Sequence, residues 1–354
     1  MAFSGASKAV APQLLALSFA VSACSSSSPT NEAADGGTPS DAGLSVEVYA
    51  HTDLPSTAAT QGLSATAFDA ATRTLFALQD IAPSVVPLLA NDDYTLFEPG
   101  APIALTGRPS AAWDGEGLAL ANDGFIAVTV ETTPTVERFS ASGAYLAPVT
   151  LPAIYAKQRP GNKGIESLCL APSGKYLFVA NEQALTVDGD GPTKDAGTVV
   201  RIARLASDTL QGAEYAYRTE PLGPGTGGDM GVSDVAAIDD DTLLVLERGY
   251  QSDYGNTVRI YRVSLVGAVD QSAVDALAAD APVLDKELVV DLVSLPSQGF
   301  MHPSTQPNPI LENYEAQSLG PTLSDGRRLL FLTTDDNAQA SQVARVLVLA
   351  VSGL

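Results

Sequence analysis

Five stretches of the chain share one arrangement of residues able to do chemistry. In GIESLCLAPSGKYLFVANE, Glu166 and Glu182 stand equidistant from Gly174. Glu116 and Glu131 flank the Asp123-Gly124 turn in the same way, Asp234 and Glu247 flank the bond between Asp240 and Asp241, and Glu315 and Asp335 flank Asp325. Ser64 and Asp80 centre on Thr72. Residues equidistant from the turn of an antiparallel hairpin face one another, so each pair is expected at the open end of its hairpin. Two carboxylates about 5 Å apart repel by roughly 3 kcal/mol at an effective dielectric near 20. A set of such pairs needs compensation.

Three kinds of compensation are open. A hard divalent cation such as Ca²⁺ takes oxygens from carboxylates, carbonyls and water. Glu116, Glu131, Glu166, Glu182, Asp234, Glu247, Glu315 and Asp335 could supply these, with Asn162, Asn313 and Asn337 nearby. Arg138, Lys163 and Arg248 lie within a few residues of the acids and could neutralise them or grip an anion. Raised pKa values could keep some carboxyls neutral, as at catalytic carboxylate pairs. The bland alternative is that the acids accept hydrogen bonds between neighbouring elements and fill the space.

Other chemistries find little here. There is no G-x-S-x-G nucleophile elbow, and His51 and His302 are the only histidines, too few for a histidine-built zinc site. His302, in GFMHPSTQPNP, reads as a surface-loop residue. The DGDG at 188–191 lacks the spacing and final glutamate of an EF-hand and reads as a turn-rich loop.

The elements that must hold the acids are strands. From residue 44, short runs rich in Val, Ile, Leu, Tyr and Thr alternate with Gly, Pro, Asp and Ser clusters, an all-β pattern. The only helix expected is Val269–Asp280, stopped by Pro282. Each acid-bearing hairpin is followed by further strand-like runs, such as TVVRIARL and AEYAYRTE after Glu182. Four strands per repeat is a propeller blade. The fifth repeat has only three, ending in VARVLVLAV, and the N-terminal SVEVYAHTDL (Ser45–Leu54) is expected to close the ring as its fourth. The count is five blades, with room for a sixth in the long third and fourth repeats. The open ends of the inner hairpins then share one face, and the acids form a ring.

The chain has 354 residues with 19 Lys and Arg against 41 Asp and Glu, a net charge of −22. It has no basic patch for a phosphate backbone, which argues against nucleic acid as a partner. At the N-terminus Lys8 precedes the apolar stretch APQLLALSFAV, too short to span a bilayer, and the run ends in VSAC. This resembles a bacterial lipobox, giving a signal peptide over 1–23 and lipid on Cys24. Residues 24–43, rich in Ser, Gly, Pro and Asp, read as a flexible tether to a folded domain over 44–354. A monomer held at the cell envelope is expected, and Ser25 is compatible with the outer membrane. With Cys24 lipidated, Cys169 has no partner for a disulfide.

The ordered pieces DGEGLAL, VTVE, ERF, GNKGIESL, ANEQAL, LLVLER, NYEAQSLGP and TTDDN resemble the phytase-like family, often labelled "esterase-like activity of phytase", over roughly residues 45–350. The resemblance implies a secreted or lipid-anchored propeller with phosphoester or ester hydrolase activity. The family's acidic motifs fall on Asp114, Glu116, Glu131, Glu166, Glu182, Glu247, Glu315, Asp335 and Asp336, which adds Asp336 to the expected metal ligands, and its basic and amide positions fall on Arg138, Asn162, Arg248, Asn313 and Asn337. Lys163 stands where arginine is usual, and Gln317 where a small residue or methionine is usual. The function expected is cation-dependent ester hydrolysis, with Glu166, Glu315 and Asp335 as catalytic carboxylates and Arg138, Asn162, Lys163, Arg248 and Asn313 binding a small anionic ester. The rival is a lipid-anchored propeller that binds a ligand or protein and uses metal only for structure.

Overall fold

A computed structural model describes residues 43–131, 133–157 and 161–354. The expected signal peptide, Cys24 and all of the tether but Gly43 lie outside the described residues. Strand β1 (Ser45–Asp53) comes first. The first blade holds β2 (Leu63–Asp69), β3 (Thr74–Gln79), β4 (Ser84–Ala90) and β5 (Phe97–Pro99), with the short β6 (Ile103–Ala104) also pairing with β4. The second holds β7 (Leu118–Ala121), β8 (Gly124–Val130), β9 (Thr135–Ser140) and β10 (Tyr145–Val149). The third holds β11 (Ile165–Leu170), β12 (Tyr176–Asn181), β13 (Val199–Ala206) and β14 (Gly212–Arg218). The fourth holds β15 (Asp229–Ala237), β16 (Thr242–Gln251), β17 (Gly255–Ser264) and β18 (Lys286–Asp291). The fifth is built from β19 (Tyr314–Thr322), β20 (Arg328–Thr334) and β21 (Arg345–Ser352), with β1 pairing antiparallel on β21 from Ser45↔Ser352 to Asp53↔Arg345. The protein is a five-bladed β-propeller closed by its two ends, as the repeats predict.

Its core is divided among the blade junctions. Leu78 and Val85 of the first blade meet Phe125 and Phe139 of the second. Val128 and Val136 meet Leu177 and Val179 of the third, and Phe178, Ile202 and Tyr217 meet Val235 and Val245 of the fourth. Leu244, Leu246 and Ile260 meet Leu330, Leu332 and Leu347 of the fifth, whose Phe331 returns to Leu75 and Phe97 of the first. Sheets covered on both faces need continuous apolar strands, which is why runs such as LLVL and VLVLAV do not alternate.

The expected helix over Val269–Asp280 is a string of turns. A segment of this length gains little from helix formation in water, and its backbone is engaged elsewhere. The Arg201 guanidinium donates to the carbonyls of Gln271 and Val274, Gln271 N–H donates to the Glu214 carbonyl, and Leu277 N–H donates to Asp188 Oδ1. Asp188, from the DGDG loop, and Glu214 both pair with the buried Arg201. The loop is therefore a structural clamp. The two short 3₁₀ turns, Ala153–Lys157 and Leu292–Ser294, are the only helical elements among the described residues, and no helix there is long and apolar enough to cross a membrane.

Ring closure rests on Phe331, whose ring lies 4.9 Å from that of Phe68 and 5.4 Å from that of Phe97, both in the first blade. Phe331→Ala is expected to destabilise the protein by about 3–5 kcal/mol in urea unfolding. A loss below about 1 kcal/mol would show that this junction does not carry the closure.

Candidate functional site

The first strand of each blade is interrupted by a β-bulge at the same place. The pairing register jumps between Leu63 and Ala65, Ile165 and Ser167, Val232 and Asp234, and Tyr314 and Ala316. In the second blade Glu116 N–H donates to the Val128 carbonyl while Val128 N–H donates to Gly117, placing two residues opposite one. The bulged residues are Ser64, Glu116, Glu166, Ser233 and Glu315. A bulge re-aims the extra side chain, and here it turns that residue toward the propeller axis. The serines of the first and fourth blades reach sideways, Ser64 Oγ to the Gly115 carbonyl and Ser233 Oγ to the Tyr314 carbonyl, each in the next blade. The glutamates of the other three blades converge.

Oxygens of Glu116, Glu166 and Glu315 lie within 4.8 Å of one another, as do those of Glu131, Glu166 and Glu182, and those of Asp114, Glu116 and Glu131. Five of these acids come from the predicted pairs, and Glu116, Glu131 and Glu166 each belong to two of the triads. Asp80 and Asp335 belong to the same field: burial and Glu315 raise the pKa of both, and Asp80 adds to the rise at Asp335. Gly231 lets the fourth blade approach, because a Cβ there would stand 2.5 Å from Glu182 Cγ and 2.8 Å from its carbonyl oxygen. Gly62 has φ +63° and donates to Asp336 Oδ1 at 3.1 Å.

Two cations sit at this mouth. Lys163 Nζ lies 2.9 Å from Glu182 and 2.5 Å from Asp229, and Arg248 Nη2 lies 2.6 Å from Glu315 Oε1. Asn313 Nδ2 donates to the same Glu315 oxygen at 3.0 Å and to the Asp335 carbonyl at 3.2 Å. Burial works against both charges, but the surrounding carboxylates outweigh it and raise both pKa values.

Four expected residues fall elsewhere. Asp234 and Glu247 stand one step nearer the turn than the pair that matches Glu166 and Glu182, which is Ser233 at the bulge and Arg248 facing Gly231. Arg248 thus takes the ring position, and Glu247 turns to the opposite side, where it accepts from Tyr217 Oη, Lys286 Nζ and Glu220 N–H. Asp234, one residue past the bulge, is buried between blades and accepts from the Gln317 and Val235 N–H groups. Asp336 accepts the backbone N–H groups of Gly62 and Ala338. Arg138 lies near the turn end of its blade, exposed and paired with Asp123 at 2.9 Å.

Asn162 is exposed in a turn with φ +64°, and Asn337 donates its backbone N–H to Asp335 Oδ1. His302 is no surface residue: its side chain is buried and its Nε2 lies 2.6 Å from the buried Glu312. The site also includes Asp80, Asp114 and Asp229, which the metal-ligand set omitted. The sequence did carry a trace of the bulge. Ile165 and Leu168 enter one apolar cluster, as do Val232 and Val235, and a spacing of three breaks the alternation of a regular strand.

The cluster has the donor set for a hard cation. Glu131 Oε2 and Asp80 Oδ1 are buried without a hydrogen-bond partner, and unpaired buried oxygens are costly unless a positive group meets them. In the ion-free chain, burial pushes Asp80 up to about 6, Glu131 up to about 8 and Asp335 up to about 9, with neighbouring carboxylates adding to it. Glu116 and Glu166 are held well above the usual carboxylate range for the same reasons, and Glu182 is raised despite Lys163. A carboxyl whose folded pKa is raised stabilises the fold below its unfolded pKa, and that contribution is lost as pH rises through the folded value. The chelated protein should therefore lose at least about 5 °C of melting temperature between pH 5 and 9.5, and millimolar Ca²⁺ should remove most of that loss. A flat profile in chelator would mean that Lys163 and Arg248 already neutralise the cluster.

Comparison with known proteins adds to this geometry. No protein of curated function matches the chain by sequence. Among solved structures the chain is similar to an endo-arabinase from Bacteroides thetaiotaomicron at 14% identity, covering 85% of this chain and 97% of that one with a TM-score of 0.46. A hypothetical protein from Leishmania major follows at 10% identity, 85% and 90% coverage and a TM-score of 0.43. Hydrazine synthase from Kuenenia stuttgartiensis is similar at 12% identity and a TM-score of 0.36, over 86% of this chain but only 64% of that one. The family model described as "Phytase-like: Esterase-like activity of phytase" matches residues 58–338, which span all five blades and every acid of the mouth, and the chain belongs to that family.

Proposed function

We propose that the acidic mouth is the active site of a cation-dependent phosphoester hydrolase. The observation that carries this reading is the set of three overlapping carboxylate triads. An anionic ester approaching them meets only repulsion unless positive charge intervenes, so a phosphate substrate and a cation requirement go together. Glu116, Glu131, Glu166 and Glu182 would hold the cation, with Asp114 and Glu315 at its edges. When bound, a divalent cation supplies the charge that draws the ester in and acidifies a water.

The chain's own residues have separable tasks in this reading. Arg248 and Asn313 fix the carboxylate of Glu315. Lys163 stands at the rim, where it can shift from Asp229 toward a phosphate oxygen, although as a point charge and without a bidentate grip. Asp335, buried beside Asp80 and Glu315, is the acid placed to give a proton to the leaving oxygen. Glu116, Glu131 and Glu166, each shared by two triads, are the carboxylates whose charge matters most.

The reading is tested with protein prepared with Ca²⁺ and protein stripped with chelator, assayed on phosphate monoesters and phytate. Hydrolysis is expected only with the cation, and Glu166→Gln and Glu315→Gln are each expected to lower it at least about 100-fold, the scale of losing a positioned charged group. Inactivity on a broad ester panel, with Ca²⁺ still raising the melting temperature, would leave the cluster a structural metal site. In that case Glu166→Gln is expected to raise the melting temperature of the chelated protein, since it removes one repelling charge. We also propose attachment to the cell envelope through lipid on Cys24, supported by the VSAC sequence. Cys24→Ser is then expected to move the protein from the membrane fraction to the soluble fraction.

A further inference from the structure

The channel has a second mouth. At the turn ends of the blades, all five first strands β2, β7, β11, β15 and β19 line a cavity of ≈ 620 Å³. Its walls combine apolar side chains such as Leu118 and Leu170 with the Cys169 thiol, which burial keeps protonated. Thr66 and Ser318 add a hydroxyl pair whose oxygens lie 3.0 Å apart. None of the mouth carboxylates lines it. Arg328, at the start of β20, does.

Arg328 is unusual in this chain. Its Nε donates to the Gly320 carbonyl at 3.3 Å, and no carboxylate pairs with it among the described residues. Every other arginine there is ion-paired, apart from Arg218, which donates to the Ala279 carbonyl. The acid that shares the cavity, Asp69, has its oxygens occupied by its own turn, accepting from Ala71 N–H at 2.9 Å and Thr72 Oγ at 2.7 Å. Burial alone acts on the Arg328 pKa, and lowers it. With 41 acids in the chain, a half-buried guanidinium that lines a cavity without a carboxylate partner keeps donors to spare for an anion.

We infer that this second mouth binds a small amphipathic anion, its carboxylate or phosphate head on Arg328 and its apolar body against the first strands. The acidic mouth attracts cations and this one takes anions, so the two ends of the channel differ in ligand class. The site is independent of the hydrolase reading.

Titration calorimetry on the full chain in chelator, with octanoate, octylphosphonate, octylamine and octanol as probes, tests it. One or both anions should bind about tenfold or more tightly than octylamine and octanol, the scale of a charge-assisted hydrogen bond, and their ratio identifies the preferred head. Arg328→Gln should lose that preference and Arg328→Lys keep part of it. Leu319→Trp, which fills the cavity and leaves the charge, should block all four probes. Ca²⁺ with and without chelator should leave octanoate affinity unchanged. Binding of octylamine as tight as octanoate, no binding of either anion at 10 mM, or unchanged affinity in a folded Arg328→Gln protein would each overturn the inference.

Discussion

The structure is organised around carboxylates that repel. Three glutamates from three different blades bring their oxygens within 4.8 Å of each other near the axis, in surroundings that exclude much of the water that would screen them. Such an arrangement persists only where the rest of the fold over-determines it and positive charge is close. The over-determination comes from apolar junctions between all neighbouring blades and from a closing strand that ties the two ends of the chain together. The nearby positive charge comes from Lys163 and Arg248. Both are used up on acids they already touch, and several carboxyl groups still have raised pKa values, so the compensation built into the chain is incomplete.

The bulge decides which residues take part. In a regular strand, moving the register by one residue sends every side chain to the other face. One extra residue in each first strand therefore separates the acids that reach the axis from those that do not. It brings Glu116, Glu166 and Glu315 inward and leaves Asp234, one residue further on, in the blade interface. Alternation along the regular strand β16 sends Glu247 the other way and gives the axis to Arg248, so the fourth blade is basic there although its sequence reads as acidic as the others. The serines at the bulges of the first and fourth blades use the geometry to hold neighbouring blades together.

The fold was legible because its signals repeat. Four strand-like runs recur after each acid-bearing hairpin, a short count at the C-terminus matches the spare strand at Ser45, and both-face burial writes itself as unbroken apolar runs. The site was legible only in outline. Equidistance from the turn aligns the two strands of a hairpin but does not say how far from the turn the axis lies, so it found Glu116, Glu131, Glu166, Glu182, Glu315 and Asp335 but took Asp234 and Glu247, one step short of Ser233 and Arg248. The Val269–Asp280 segment has helical periodicity and a stop signal, yet distant partners, chiefly Arg201 and Asp188, take its backbone groups. Arg138 is close to the acids along the chain, but it lies toward the turn end of its blade, and sequence distance carries no sign for that.

The charge around the axis is lopsided, and this bears on where a cation would be held. On the side of the fourth and fifth blades, Glu315 already has Arg248 and Asn313. On the side of the second and third blades, Asp114, Glu116, Glu131, Glu166 and Glu182 have one direct ion pair, Glu182 with Lys163, which also serves Asp229, and Arg248 reaches Glu166 and Glu182 only through space. Two of the three triads lie there, and so does the unpartnered oxygen of Glu131. The uncompensated charge, and with it the strongest pull on a divalent ion, therefore sits between β7 and β11. Glu315 closes the third triad with its carboxylate already held by Arg248 and Asn313, so it adds less unpaired charge to that point than the acids of the second and third blades do.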